Sequence, residues 1–298
     1  MVTYDGFKEY IRQRAQEEIG GRVVVNSVRK INGRVLDGLC IMDSGCNIYP
    51  SIYLNEYYKE LKDTSEPEDE TLTRIWQSIK EIYYDHLPQN SFEMKDLMKW
   101  ESVKERLYIR LINTAKNETL LEDLVNIPYL DLSIIFVVDV AIGDIKGNIS
   151  IRKELAELWG IGTEEIYKKA LENMEDKWEI QPMSEILKHT GGSFELSGDS
   201  GVDNIYVLSN KEMFFGASSI LIKKVFEENE DLFSCNKLYV IPSSVHELIL
   251  MSADACEESG TEYINEMIRN VNETLLDDLD FLSDHVYIYD LKGMKLRV

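Results

Sequence analysis

The feature that most constrains the fold is an apolar run at residues 129–138, in which Asp131 is the only charged residue. Residues 134–138 are apolar without interruption and rich in β-branched side chains, and Asp139 closes the run. Such a strand is stable in water only when both of its faces are covered. The sequence therefore predicts one buried strand over residues 129–138, in the middle of the main sheet, with helices or a second layer around it.

A second stretch predicts another part of the core. Two β-rich runs, at residues 205–209 and 213–215, are separated by a short polar segment, which is typical of a hairpin. Apolar residues then recur at helical spacing over residues 217–226, and residues 238–241 favour a further strand. That strand is expected to stop at Pro242, because proline has no backbone donor with which to continue a ladder.

The dipeptide Asn32-Gly33 separates two β-rich runs near the beginning of the chain, at residues 23–28 and 35–42. This dipeptide between such runs is the strongest short-range signal for a hairpin. A helical pattern lies on each side of the two runs. The first 62 residues are therefore predicted to form an α-β-β-α segment.

The polar residues 63–70, which include Pro67, are the best internal linker in the sequence. They predict a boundary between an N-terminal segment at residues 1–62 and a larger mixed domain at residues 71–298, with packing of the two as one unit as the alternative. Helical and extended patterns alternate irregularly, and hairpin signals are frequent. These patterns predict an α+β fold with a mixed, largely antiparallel sheet and flanking helices.

Acidic residues outnumber basic ones, 54 to 32, which gives a formal net charge of −22. Binding to nucleic acid depends on lysine and arginine displacing the counterions of phosphate groups. The charge balance therefore predicts that the molecule as a whole does not bind nucleic acid. A strongly acidic surface with many aromatic residues suits contact with another protein, which is the partner that we expect.

The cysteines suggest a reducing compartment. Cys40, Cys46, Cys235 and Cys256 form no C-x-x-C pair, and four thiols in a chain of this length suit free cysteines better than a disulfide framework. No apolar run is long enough to span a bilayer, and the beginning of the chain does not resemble a secretion signal. The expectation is a cytoplasmic protein without a membrane partner.

His246-Glu247 is the most suggestive pair for chemistry. Ser243 and Ser244 follow Pro242, a pattern that predicts a helix cap, with Glu247 favoured by the helix dipole and His246 at the surface. The alternative makes His246 a general base or a metal ligand. A zinc-binding helix needs a second histidine four residues later, where this chain has leucine.

Asp284-His285 is the second candidate pair. Adjacent residues on a strand point to opposite faces, so Asp284 is not expected to orient His285 as a catalytic triad requires. Asp284 is interpreted as a turn or cap residue before the last strands. A metal site in which His246 and His285 meet, together with Glu247 or Asp284, is the alternative that the sequence leaves open.

Other motifs that bind cofactors are incomplete. The glycines at residues 191–192 and at 198 and 201 lack the strand, helix and lysine of a phosphate-binding loop. The carboxylates of Asp277, Asp278 and Asp280 lack the glycine and the ligand spacing of a calcium loop. No cofactor is therefore expected.

Five short phrases together resemble the uncharacterised family of domains of unknown function numbered 5688. They are Tyr-Leu-Asn-Glu-Tyr-Tyr at 53–58, Ile-Pro-Tyr-Leu-Asp-Leu at 127–132, Tyr-Val-Leu-Ser-Asn at 206–210 with Gly216-Ala217, Ile-Pro-Ser-Ser-Val-His-Glu at 241–247, and Leu-Ser-Asp-His-Val-Tyr at 282–287. The resemblance covers most of the chain and implies a cytoplasmic bacterial protein, found mainly in anaerobic Gram-positive bacteria. It implies no activity and no catalytic residues.

The function predicted from the sequence is a non-catalytic protein-interaction or regulatory module. One alternative is a metal-dependent hydrolase that uses His246, Glu247, Asp284 and His285. A second alternative is an acidic mimic of nucleic acid that inhibits a basic protein.

Overall fold

The computed structural model describes residues 2–42, 51–85, 94–142, 145–189, 204–233, 235–253 and 259–298. Helices and mostly antiparallel strands form an α+β fold, as the sequence predicts. The helices are α1 (Tyr4–Glu18), α2 (Asn55–Asp63), α3 (Glu68–Asp85), α4 (Met94–Leu97), α5 (Trp100–Val103), α6 (Glu118–Leu121), α7 (Lys153–Trp159), α8 (Thr163–Met174), α9 (Met183–His189), α10 (Lys223–Glu228) and α11 (Ser259–Thr274). The strands are β1 (Arg22–Arg29), β2 (Val35–Met42), β3 (Ile52–Tyr53), β4 (Leu107–Asn113), β5 (Asn126–Tyr129), β6 (Leu132–Ile142), β7 (Ile145–Ser150), β8 (Trp178–Pro182), β9 (Ile205–Asn210), β10 (Lys237–Pro242), β11 (Leu248–Ser252), β12 (Tyr287–Asp290) and β13 (Lys295–Arg297). Among these helices, none is long and apolar enough to cross a membrane.

The chain divides into two compact units. The first comprises residues 1–99 and 139–148, and the second comprises residues 100–138 and 149–298. The boundary expected near residues 63–70 falls inside the first unit.

The core of the first unit shows why α3 belongs to it. α3 buries Ile75 and Ile79 in the same apolar cluster as Phe7 and Ile11 of α1, together with side chains of the sheet β1-β2-β3. Because α3 begins at Glu68, a division at the linker would separate it from the core that it helps to form.

A tight hairpin joins β1 and β2, which confirms the prediction from Asn32-Gly33. The antiparallel register ends where Arg29 faces Val35, and in the turn Asn32 has a φ of 57° and Gly33 a φ of 74°. Glycine adopts a positive φ freely, and asparagine tolerates it better than most residues. The dipeptide therefore supplies the backbone conformation that this turn needs.

The second unit contains a six-stranded antiparallel sheet in the order β13-β12-β10-β11-β9-β8. β4, β6 and β5 belong to a second sheet, in which β7 also pairs with β6. α8 packs on β4, so that Ile166 and Ala170 are buried. The connections at the ends of these strands carry the candidate site residues.

The prediction for residues 129–138 is confirmed in part. β6 lies between β4 and β5, and its side chains from Leu132 to Val138 are buried on both faces, with Phe136 fully enclosed at 0% exposure. The first part of the prediction is wrong, because Tyr129 pairs with Leu132 across a turn in which Leu130 has a φ of 58°. The run is therefore a hairpin, and it lies in the smaller sheet of this unit rather than in the six-stranded one.

The hairpin predicted over residues 205–215 is wrong. β9 pairs with β8 and β11, whereas the second β-rich run forms no strand and has positive φ angles at Met213 and Phe215. The helix expected after this run is divided into a 3₁₀ helix at Gly216–Leu221 and the short α10. Residues 211–215 thus form a loop between β9 and the 3₁₀ helix.

Candidate functional site

The segment between β10 and β11 is a hairpin loop, so the helix cap predicted after Pro242 is wrong. β10 ends at Pro242, as expected, and Pro242 pairs with the first residue of β11. Ser244 Oγ accepts a hydrogen bond from the backbone N–H of His246 at 3.0 Å. Ser243 Oγ donates to Glu247 Oε1 at 3.2 Å, which holds the Glu247 carboxylate within the same loop.

Both ring nitrogens of His246 are engaged within the protein. Nδ1 accepts a hydrogen bond from the backbone N–H of Phe215 at 3.1 Å. A nitrogen that accepts carries no hydrogen, so the hydrogen lies on Nε2, which donates to Asp280 Oδ1 at 3.1 Å. The carbonyl oxygen of His246 accepts from Ser209 Oγ at 2.8 Å. His246 thereby joins β9, the 211–215 loop and the segment before β12.

The ring of His246 also stacks on that loop. The rings of Phe215 and His246 are nearly parallel, at 14°, with centroids 5.2 Å apart. The guanidinium of Arg110, on β4, lies 3.7 Å from the centroid of the Phe215 ring, a cation–π contact. Burial lowers the pKa of Arg110 to about 10, while Tyr108 and Asp280 act in the opposite direction. Arg110 therefore remains cationic at neutral pH, against the aromatic ring.

The 211–215 loop is fixed further by its own flanking residue, Asn210. Asn210 Oδ1 accepts from the backbone N–H of Phe214 at 3.1 Å, and Asn210 Nδ2 donates to the carbonyl of Phe214 at 2.7 Å. Lys211 Nζ donates to the carbonyl of Asp176 at 2.8 Å. The loop is therefore held from three directions, by β9, by His246 and by the turn before β8.

A second polar cluster forms where the segment before β12 meets the turn between β5 and β6. Asp131 accepts hydrogen bonds from Tyr287 OH at 2.8 Å and from Ser283 Oγ at 3.2 Å. His285 Nε2 lies 3.6 Å from Asp131 Oδ1, an ion-pair distance, and His285 Nδ1 lies 3.1 Å from Asp284 Oδ1. Asp284 therefore does contact His285, contrary to the sequence argument, because both residues precede the extended strand.

The arrangement around His285 differs from a Ser-His-Asp triad. Ser283 is 1% exposed, so a substrate has no access to its hydroxyl. That hydroxyl lies 3.3 Å from His285 Nδ1, the same nitrogen that faces Asp284. A triad needs the serine and the carboxylate on different ring nitrogens. The cluster instead clamps the segment before β12 onto Asp131.

His285 also lines a cleft of about 450 Å³ between α11 and the six-stranded sheet. Tyr239, Val286 and Ile288 contribute apolar surface to it, and Asn265 of α11 contributes an amide. A cleft of this size would accommodate a small molecule. Nδ1 of His285 contacts the carboxylate of Asp284, however, and Nε2, which has no hydrogen-bond partner among the described residues, is buried 3.6 Å from Asp131.

The structure does not bring the four predicted site residues together around one ion. His246 contacts Asp280, His285 contacts Asp131 and Asp284, and Glu247 contacts Ser243. Within the described ranges, no group of three or more His, Cys, Asp or Glu residues is arranged to hold a metal ion.

The pair of His285 and Asp131 makes stability depend on pH. The contact with Asp131 raises the pKa of His285, with partial burial opposing and Asp284 assisting. Burial raises the pKa of Asp131, but the nearby imidazole of His285 and the hydrogen bond from Tyr287 outweigh it and hold that pKa below its usual value. The raised pKa of His285 stabilises the fold below about pH 6.5, and this contribution is lost as pH rises through the folded-state pKa. The lowered pKa of Asp131 stabilises the fold above about pH 3.9 and loses its effect as pH falls.

We therefore expect His285→Gln to destabilise the protein more at pH 5.5 than at pH 8.5. At the lower pH the substitution removes a charged partner of Asp131, whereas at the higher pH it removes a neutral ring. Denaturant midpoints of the native and variant proteins at both pH values measure this difference. A destabilisation of equal size at both pH values would contradict the ion pair.

Sequence reasoning missed Asp280, Asn210 and Asp131 as partners in these clusters. Asp280 and Asp131 lie far along the chain from the histidines that they contact, whereas Asn210 contacts Phe214, four residues away, and no local motif marks any of the three. The resemblance to the numbered family did include the phrases that contain Asn210, His246 and His285.

A family model described as "Family of unknown function (DUF5688)" matches residues 4–291. No curated protein and no solved structure matches the chain.

Proposed function

The chain belongs to the DUF5688 family of unknown function, and from its own geometry we propose that it is a non-catalytic protein-interaction module. The contact is made by the 211–215 loop, whose Met213 and Phe214 side chains face solvent. The observation that carries the proposal is that Phe214 is exposed while the loop that presents it is rigidly braced.

Exposure and backbone strain coincide in this loop. Phe214 is 48% exposed and Met213 is 44% exposed. Met213 and Phe215 have φ angles of 52° and 56°. Residues other than glycine adopt this backbone conformation at a cost of roughly 1–3 kcal/mol each. Strain of this kind clusters at functional sites, because stability alone does not favour it. It supports a role for the presented side chains outside the fold.

Rigidity makes the exposed ring suitable for binding. A partner that docks on a mobile loop must order it, at about 0.5–1.5 kcal/mol for each immobilised side chain. The loop of Phe214 is already ordered by Asn210 and His246. Large, pre-ordered apolar side chains supply most of the affinity at protein interfaces. His246 is, in this proposal, a positioning residue for Phe214.

The two alternatives gain less support. A hydrolase built on His246 needs a nitrogen free for a metal or a proton, whereas both nitrogens of His246 are engaged. A mimic of nucleic acid needs carboxylates in rows that resemble phosphates. On the acidic helix α11, the exposed carboxylates lie beside exposed apolar side chains, which favours contact with protein.

The test places a photo-crosslinking amino acid at Glu212, next to the exposed pair, in the full chain expressed in its source cell. We expect one crosslinked protein, which mass spectrometry identifies and which is then purified for binding measurements. Phe214→Ser should weaken that binding by roughly 30-fold, the effect of losing an interface anchor of about 2 kcal/mol.

Leu158→Ser is the matched control, because Leu158 is 59% exposed on α7, outside the loop. Binding should be unchanged in this variant. Unaltered binding by Phe214→Ser, or an equal loss in both variants, would refute the role of the loop.

A further inference from the structure

α11 carries more apolar surface than its own fold covers. Its inner face buries Ile264 and Ile268 in a cluster with Tyr239 of β10 and Val286, which directly precedes β12. The position of the helix is fixed by Asn265, whose Oδ1 accepts a hydrogen bond from the backbone N–H of Val286 at 2.8 Å. The outward-facing side chains of α11 are therefore held in a defined place.

Three of those outward side chains are large and apolar. Tyr263 is 70% exposed, Met267 is 47% exposed and Val271 is 43% exposed, and Leu275, directly after the helix, is 82% exposed. Residues four apart in a helix lie on adjacent turns of one face. We call this row, Tyr263, Met267, Val271 and Leu275, the apolar stripe. It extends for about 18 Å at 1.5 Å per residue.

The stripe adjoins the buried face of the helix. Ile264 follows Tyr263, and Ile268 follows Met267, at about 100° around the helix axis. The apolar arc of α11 is therefore wide, and the sheet covers only one side of it. A surface helix that needs only to pack on its own sheet carries polar residues next to its buried face.

The opposite flank of the stripe is acidic. Glu262, Glu266 and Glu273 are exposed on that side, and Asp277 and Asp278 follow beyond the helix. The guanidinium of Arg269 lies on the same flank but is paired with Glu262 at 3.0 Å. The stripe is thus bordered by a surplus of negative charge.

We propose that the apolar stripe docks an amphipathic helix of another protein whose apolar face is flanked by lysines or arginines. The apolar side chains of such a helix recur every three or four residues and so match a row of the same spacing. Its basic flank meets the glutamates of α11, which gives attraction and fixes the orientation.

Charge argues against the other occupants of this surface. A second copy of the chain would bring two acidic flanks together, each on a molecule of net charge −22. Anionic membranes and nucleic acids would be repelled for the same reason. The inference goes beyond the proposed function, because it concerns a different surface and holds even if the 211–215 loop binds nothing.

The probe is a synthetic peptide of about 18 residues, roughly five helical turns, with leucines on one face and lysines on both flanks. Fluorescence anisotropy measures its binding to the full chain at about 0.15 M salt. The variant Met267→Ser/Val271→Ser should raise the Kd at least tenfold, since it removes the centre of the stripe without changing the net charge. A peptide with glutamate in place of lysine should not bind measurably.

Leu158→Ser is the control and should leave the Kd unchanged, because Leu158 is exposed on α7, away from the stripe. Equal weakening by this control would show that the loss is not specific to the stripe, and an unchanged Kd in Met267→Ser/Val271→Ser would show that the peptide senses only overall charge. Either result would overturn the proposal. Sedimentation that showed a dimer dissolved by Met267→Ser/Val271→Ser would overturn it too, because the stripe would then bind a second copy. Circular dichroism confirms that each variant is folded.

Discussion

Replacing Phe136 by alanine is expected to lower the free energy of unfolding by about 3–5 kcal/mol, the usual cost of removing a buried phenylalanine. Phe136 is fully enclosed on β6, between β4 and β5, and it packs edge to face on Tyr167 of α8. The cost combines the lost burial of the ring with the cavity left behind. It is a large share of the roughly 5–15 kcal/mol that stabilises a domain.

Urea or guanidinium denaturation of the native protein and of Phe136→Ala measures this cost. Leu158→Ala is the control, because it removes an exposed apolar side chain and should change stability by no more than about 0.5 kcal/mol. If Phe136→Ala cost no more than this control, β6 would not be the central strand of a packed layer.

Replacing Gly216 by alanine is expected to cost about 3 kcal/mol, the upper part of the usual range for overpacking. A Cβ at this position would lie 2.7 Å from the carbonyl oxygen of His246 and even closer to Ser209 Oγ and the backbone nitrogen of Asn210. Two of these three neighbours are backbone atoms, which do not yield as the end of a flexible side chain does. The 211–215 loop and the β10–β11 loop can approach each other only because residue 216 has no side chain.

Gly162→Ala provides the control for Gly216→Ala, since a Cβ at Gly162 meets nothing within 4 Å. We expect Gly162→Ala to cost less than about 1 kcal/mol, as an unfavourable residue at the helix cap before α8. Equal denaturant midpoints for the two variants would contradict the close approach at Gly216.

The turns show which parts of the fold could be predicted. Asn32-Gly33 indicates its own turn, because these two residues tolerate the positive φ angles that the hairpin requires. Leu130, Met213 and Phe215 adopt positive φ angles without any such residue type. No glycine or asparagine marks these positions, so the local pattern predicted a continuous strand at Leu130 and a second β-run after Asn210.

The site was less predictable than the fold. His246 and His285 stand out in the sequence because each adjoins a carboxylate residue, but their roles depend on partners distant in sequence. Asp280 contacts His246, and Asp131 contacts His285, through pairings that only the folded chain creates. The serines after Pro242 resembled a helix cap, whereas β-pairing on both sides made them part of a hairpin loop.

The family resemblance found in the sequence is confirmed by the match over residues 4–291. Because the family has no assigned function, the function of this chain must be inferred from its exposed surfaces and from the role of His246. A catalytic or metal-binding His246 needs a free ring nitrogen, whereas a His246 that positions the 211–215 loop has both nitrogens engaged.

The most direct test of that role is a long-range ¹H–¹⁵N correlation spectrum of the histidine rings, recorded with and without added zinc. His246→Gln identifies the signals of His246. We predict that Nε2 carries the hydrogen, that Nδ1 is an acceptor, and that zinc changes neither signal, because Phe215 and Asp280 already occupy the two nitrogens. A hydrogen on Nδ1, or a shift of either nitrogen signal on addition of zinc, would contradict the role of His246 in holding the 211–215 loop. Either result would favour a metal-binding His246.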